Sequence, residues 1–444
     1  MAGEGTTQGR DVGFILEQGD ISRPPTGRPV IYATNGIISS GHYLTSMAGM
    51  RMLMSGGNAF DALVSATFAA AVVEPVASYS LGAEATFLFH DVGTGDFLSL
   101  SGQGPASLKA TPEFFKSRGH DSIPTGPGED APLSFTVPGV AAACFSMLEK
   151  YGSKSVQEVL SVSIEYAEKG IPNYEYMTGR LDAGGAVSQF ELFPPGGLEI
   201  FFNEGDIPDP GTLLVQKSLA RTFRTMSEAA DKAGSERLDG ISAAKDCFYS
   251  GDIASAISDA SRRVDGILDE SDLENYVPKY SEPIGTTYMG YGVHGHSTWT
   301  QGPVLQQALN ILEFFDLKSM GHNSAEYVHT VTEALKLALA DREAFYGDPD
   351  FASVPVDGLL SKEYAAERAK EIDHLRAHPG MPGHGNPWAY SEFQGEVSPQ
   401  PSYPSGGPMD LQHESGTTHI TVIDGHGNIA CSTPSGGAFN KSVF

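Results

Sequence analysis

Three cysteines in 444 residues, Cys144, Cys247 and Cys431, are too few and too far apart for a disulfide framework or a thiolate zinc site. They read as reduced packing residues. Basic residues are scarce as well: 28 Lys and Arg stand against 55 Asp and Glu, a net charge of −27. Nucleic acid and anionic membrane both repel such a surface, so neither is expected as a partner. Long apolar runs are missing too. The longest, Phe68 to Val76, is broken by Glu74 and is too short to span a bilayer. Residues 1–28 form a polar lead without the apolar centre of a secretory signal, so the expected setting is the cytoplasm.

What is present suits a large packed interior. The apolar fraction is 40%, with 23 Phe and 17 Tyr, and the length exceeds one ordinary core, so a single large unit or two lobes is expected. Pro29 to Ala33 reads as a strand, Gly41 to Met54 as a helix stopped by Gly56-Gly57-Asn58, and Ala59 to Val73 as a second helix rich enough in Ala and Val to be buried on most sides. Leu81 to Phe89 and Phe97 to Ser101 read as a hairpin around a Gly/Asp turn. Helices follow over Val140 to Tyr151, Val156 to Lys169, Leu268 to Tyr276, Val304 to Phe315 and Ala325 to Tyr346, with a strand over Tyr288 to Val293. Ser101-Gly102-Gln103-Gly104-Pro105 lets something approach the backbone closely, but its spacing is wrong for a dinucleotide loop. His294 and His296 share one face of a strand; without carboxylates or thiolates nearby they read as structural, and no metal is expected.

Residues 377–416 shift to Pro, Gly, Ser and His without periodicity, which reads as a loop or tether. Directly after it, Ile420 to Asp424 reads as a strand, and Asn428 to Thr433 as its antiparallel partner. A threonine at the head of such a strand becomes a nucleophile if the preceding peptide bond is cut. Scission of Gly416-Thr417 would give Thr417 a free α-amine, with a pKa of roughly 8, able to take the proton from its own hydroxyl near neutral pH. Gly416, lacking a Cβ, would leave its carbonyl open to that hydroxyl. Ser435, after the second strand, would return to the strand start and hydrogen-bond Thr417.

These residues carry a resemblance. Gly56-Gly57-Asn58-Ala59-Phe60-Asp61-Ala62, Val137-Pro138-Gly139, Phe248-Tyr249-Ser250-Gly251, Ala340-Asp341-Arg342 with Gly347-Asp348-Pro349-Asp350, and Thr417-Thr418-His419 with Asp424 and Gly427-Asn428, in this order, resemble the γ-glutamyltransferase family of N-terminal-nucleophile hydrolases. The resemblance implies an α+β, four-layer αββα sandwich made as one precursor. Residues 29–416 would supply the large subunit and 417–444 the start of the small one, which reads as truncated. It implies Thr417 and Ser435 as catalytic residues, amide cleavage through an acyl-enzyme, release to water or an amine acceptor, no cofactor, and further oligomerisation as an option.

The departures shape the expected substrate. Where the family holds a substrate carboxylate with an Arg, this chain has Ser101, followed by Gly102; a second substrate-binding position falls on Gly437; and Ala83-Glu84-Ala85 stand in place of glycines. A small-molecule amide other than ordinary glutathione is therefore expected, because a bidentate cation is missing. The alternatives are an authentic γ-glutamyl hydrolase or transpeptidase that recruits another cation, and a catalytically silent binding or scaffold protein.

Overall fold

The computed structural model describes residues 30–77, 79–124, 128–182, 186–193, 197–392 and 416–436. Gly437 and most of the Pro/Gly-rich 377–416 segment therefore lie outside the described residues. The compact unit begins at Asn35. Its centre is a six-stranded antiparallel sheet of β1 (Gly36–Ser39), β2 (Glu84–His90), β3 (Phe97–Gly102), β4 (Lys279–Ser281), and two strands from the far end of the sequence. Between β4 and those two, β5 (Ile284–Tyr288) and β6 (Tyr291–Gly295) form a separate hairpin. The late strands are β7 (Ile420–Asp424) and β8 (Ile429–Ser435), and the sheet order is β1-β7-β8-β2-β3-β4.

One sheet face is apolar and buried. Ile420 and Val422 of β7, Ala430 of β8, Phe87 and Phe89 of β2 and Leu100 of β3 point into the main core. Helix α1 (Tyr43–Met54) and α2 (Ala59–Val73) lie under it. Every residue of α2 is buried. That is why its Ala/Val composition shows almost no polar stripe: the helix is surrounded by the sheet, by α1, and by α3 (Val140–Tyr151) and α4 (Val156–Lys169). Further on, α5 (Pro303–Leu312) packs on α6 (Ala325–Phe345) around smaller apolar clusters. Among the described residues no helix is long and apolar enough to cross a membrane.

The family-like motifs turn out to be joints. Asn58 caps α2 through its side chain, forms a capping box with Asp61, and donates to the Tyr151 carbonyl at 2.7 Å. Asp61, fully buried, accepts from Ser153 N (2.8 Å), Ser153 Oγ (2.7 Å) and Lys154 N (2.9 Å). Tyr249 donates to the Pro138 carbonyl and accepts from Ala142 N. Asp341 meets Arg368 at 3.3 Å and accepts from Tyr364 Oη and Gly385 N.

Two expectations need correction and a third is made specific. Residues 30–33 join no strand; the first strand begins at Gly36, where the backbone finds β7 to pair with. The single strand expected over Tyr288 to Val293 is instead split between β5 and β6 by a turn, because Met289 (φ 48°) and Gly290 (φ 85°) take left-handed conformations that reverse the chain. What approaches the Ser101–Pro105 glycines is the chain itself: a Cβ on Gly104 would sit 1.6 Å from the Val137 carbonyl oxygen.

Candidate active site

The head of β7 sits on a short segment that follows α2. Thr418 faces the core, where its hydroxyl donates to Glu74 Oε2 at 2.7 Å, while Thr45 donates to Glu74 Oε1 at 2.6 Å. Glu74 is almost wholly buried, and burial raises its pKa, with the two threonine hydroxyls opposing that shift. Three residues on, Ala77 packs under Gly416, where a Cβ would come within 3.1 Å of Ala77 Cα. The peptide bond before Thr417 is therefore held by its neighbour on each side.

Alternation along β7 then turns Thr417 to the opposite, open face. Thr418 N donates to the Pro434 carbonyl at 3.3 Å, and this register sets Thr417 across from Ser435, with 3.1 Å between their hydroxyl oxygens. Ser435 belongs to the end of β8 rather than to the loop beyond it. One row of side chains thus runs Thr417, Ser435, Glu84, Gln103 across the sheet, and the next runs His419, Thr433, Thr86, Ser101, Lys279. In the second row His419 Nδ1 meets Thr433 Oγ1 at 2.8 Å and Nε2 meets Thr421 Oγ1 at 2.9 Å; burial lowers the His419 pKa, which favours the neutral ring.

Thr417, Ser435 and Ser101 are therefore brought to one face. Gly102 is on the other, where a Cβ would meet the Ala85 carbonyl oxygen and Ala143, so its place in the chain reflects close packing. Sequence reasoning gave Glu74 no partner and noted Glu84 only as a departure from family glycines. The signal for Glu74 was in view: a carboxylate inside an apolar run needs buried partners. Glu84 required the register of β2 against β8. His294 packs its ring on Phe97 and His296 Nδ1 contacts Ser99 Oγ at 2.7 Å, so both histidines lie against β3; no group of metal-ligating side chains occurs among the described residues.

A central antiparallel sheet over a buried helix layer is the fold of the N-terminal-nucleophile hydrolases, an α+β class. Comparison with known proteins narrows the class. The sequence model of the Gamma-glutamyltranspeptidase family matches residues 45–443. The glutathione hydrolase proenzyme of Bacillus subtilis (strain 168) is 30% identical over 428 residues, 95% of this chain and 68% of that protein. Cephalosporin acylase from Bacillus halodurans superposes with a TM-score of 0.75 at 27% identity, covering 97% of this chain and 73% of its own. Helicobacter pylori gamma-glutamyltranspeptidase does so with a TM-score of 0.72 at 30% identity, covering 83% of this chain and all of that one. The chain belongs to the gamma-glutamyltranspeptidase family, whose members here include glutathione hydrolases and acylases.

Proposed function

We propose that this chain is a self-processing threonine amidohydrolase or acyltransferase. The observation that carries the reading is the Thr417–Ser435 hydroxyl pair on the open face beside the seated Gly416. In maturation, Thr417 Oγ attacks the Gly416 carbonyl carbon and the C–N bond breaks. The ester so formed is hydrolysed by water, leaving a Gly416 carboxylate and a Thr417 α-amine. In turnover that amine takes the Oγ proton, Oγ attacks the substrate amide, and the leaving amine departs with the proton. Water or a second amine then collects the acyl group. Ser435 orients Oγ by donating to it or accepting from it. The proenzyme description of the Bacillus subtilis relative supports the processing step.

The substrate is a small amide other than ordinary glutathione. Ser101 cannot supply the charge that a substrate carboxylate needs, and a lost bidentate contact of this kind costs about a hundredfold in affinity. One observation favours the reading as a γ-glutamyl enzyme: Lys279 lies directly across from Ser101. Its ammonium, however, is engaged by Asp350.

Intact mass and N-terminal sequencing of the purified protein test the reading. Wild type should yield a fragment beginning at Thr417, Thr417→Ala should stay whole, and Ser435→Ala should mature at least tenfold more slowly. A whole wild-type chain would put the silent binding-protein reading in its place.

A further inference from the structure

The face that carries Thr417 also holds an acidic group for which the reaction has no use. Glu84 stands directly across from Ser435 in the β8/β2 ladder, and Ser435 is the hydrogen-bond neighbour of Thr417. With strands about 4.8 Å apart, the Glu84 backbone lies about 10 Å from that of Thr417 on the same face. Side chains directly opposite have Cβ atoms about 5 Å apart, so a Glu84 side chain is long enough to reach the space beside the Ser435 hydroxyl. An acyl chain held on Thr417 and running across the sheet toward β3 would bring its far end there.

Glu84 is half-buried and faces an amide rather than a cation. Burial is the main influence on it and raises its pKa, with a hydrogen bond from Gln103 acting the other way and no cation contributing. The Tyr276 hydroxyl is close enough to feel the Glu84 charge and has no hydrogen-bond partner among the described residues. The cation of the neighbouring row, Lys279, is four strands from Thr417, about 19 Å away by strand spacing, and is paired with Asp350. Of the charged residues in these two rows, the one nearer the hydroxyl pair in strand order is the carboxylate Glu84.

We infer that Glu84 is a specificity-determining residue: it selects acyl groups whose far end carries an ammonium or another hydrogen-bond donor, and rejects those ending in a carboxylate. The selection combines attraction with repulsion, since a second carboxylate in this half-buried space has no cation to share. The inference rests on the reading of Thr417 as the nucleophile.

Three anilides of equal carbon-chain length test it on the full-length purified protein: 5-aminopentanoyl, pentanoyl and glutaryl. Wild type should show a kcat/KM at least tenfold higher for the aminopentanoyl than for the glutaryl substrate. Glu84→Gln should cut that ratio at least fivefold, mainly through KM, and Glu84→Asp should restore part of it. The ratio compares two substrates on one preparation, so partial misfolding of a variant cancels. If Glu84→Gln does not fold, the wild-type ratio alone decides. Equal or better use of the glutaryl substrate by wild type, or a ratio indifferent to Glu84→Gln, would overturn the inference while leaving the nucleophile reading standing. Failure to cleave all three anilides, with the chain uncut before Thr417, would sink that reading and the inference with it.

Discussion

A single buried carboxylate links the core to the proposed nucleophile. Glu74 receives the hydroxyls of Thr45 and Thr418, and Thr418 is the neighbour of Thr417. Because burial raises its pKa, the folded state holds its proton more tightly than the unfolded chain does. The stability this confers is fully present below the ordinary carboxylate pKa of about 4 and is lost as pH rises through the raised value. Glu74→Gln removes the titration. The melting temperature of wild type minus that of Glu74→Gln should therefore fall between pH 4 and pH 8; a difference independent of pH would show that Glu74 titrates as in the unfolded chain. Glu74 was visible in the sequence as an interruption of an apolar run, yet nothing in the sequence said that Thr418, 344 residues away, would be its partner.

At the scale of elements, the β7 turn is fastened to the start of α2 by Asp424. Its carboxylate accepts from Ala59 N (2.9 Å), His426 N (2.9 Å), Asn428 N (3.1 Å) and Asn428 Nδ2 (2.8 Å). Burial alone would raise its pKa, but these bonds outweigh it and hold the carboxyl below the usual range. The first turn of a helix adds its own favourable field. Asp424→Ala should lower the unfolding free energy by about 2–3 kcal/mol in urea titrations at pH 7. The deficit should shrink in acid, since a depressed carboxylate contributes above its unfolded pKa and loses that contribution as pH falls through its folded one. Elements with strong local signals were legible: α2, α3 and α4 begin and end where their caps and periodicity place them. Alternation also placed β2, β3, β7 and β8 close to their observed spans, but two elements set by pairing alone were not legible. The first strand lies at Gly36 because β7 is there, and the β5/β6 turn depends on Met289, a residue that carries no turn signal.

For the molecule as a whole, the sheet decides what scission would do. Strands β7 and β8 are bonded to β1 on one side and β2 on the other, so both would-be fragments share one hydrogen-bonded ladder and one core. After cleavage the two pieces should travel as one particle in native mass spectrometry and separate only in denaturant; spontaneous dissociation in buffer would contradict the shared sheet. The family was legible from the order of its motifs, and the strand pattern with the Gly-Thr-Thr-His run is what singles out Thr417 as the proposed nucleophile. The pairing of Thr417 with Ser435 was also anticipated, through a loop where the structure has a strand end. The charge beside them was hidden, because it depends on which strand lies next to β8, and alternation within a strand does not reveal that.

The same strand order sets a timetable for biosynthesis. A ribosome releases β1, β2 and β3 long before residues 420–435, so until those residues emerge the nascent chain lacks the two strands that belong in the slot between β1 and β2. Unpaired edges of that kind invite contact with other chains. The peptide bond before Thr417 also has no Ser435 beside it until the slot is filled. Filling the slot thus ends the vulnerable interval, and on the proposed mechanism it also sets the earliest moment for scission, so a chain that stalls earlier would be exposed to misassociation but protected from premature cutting.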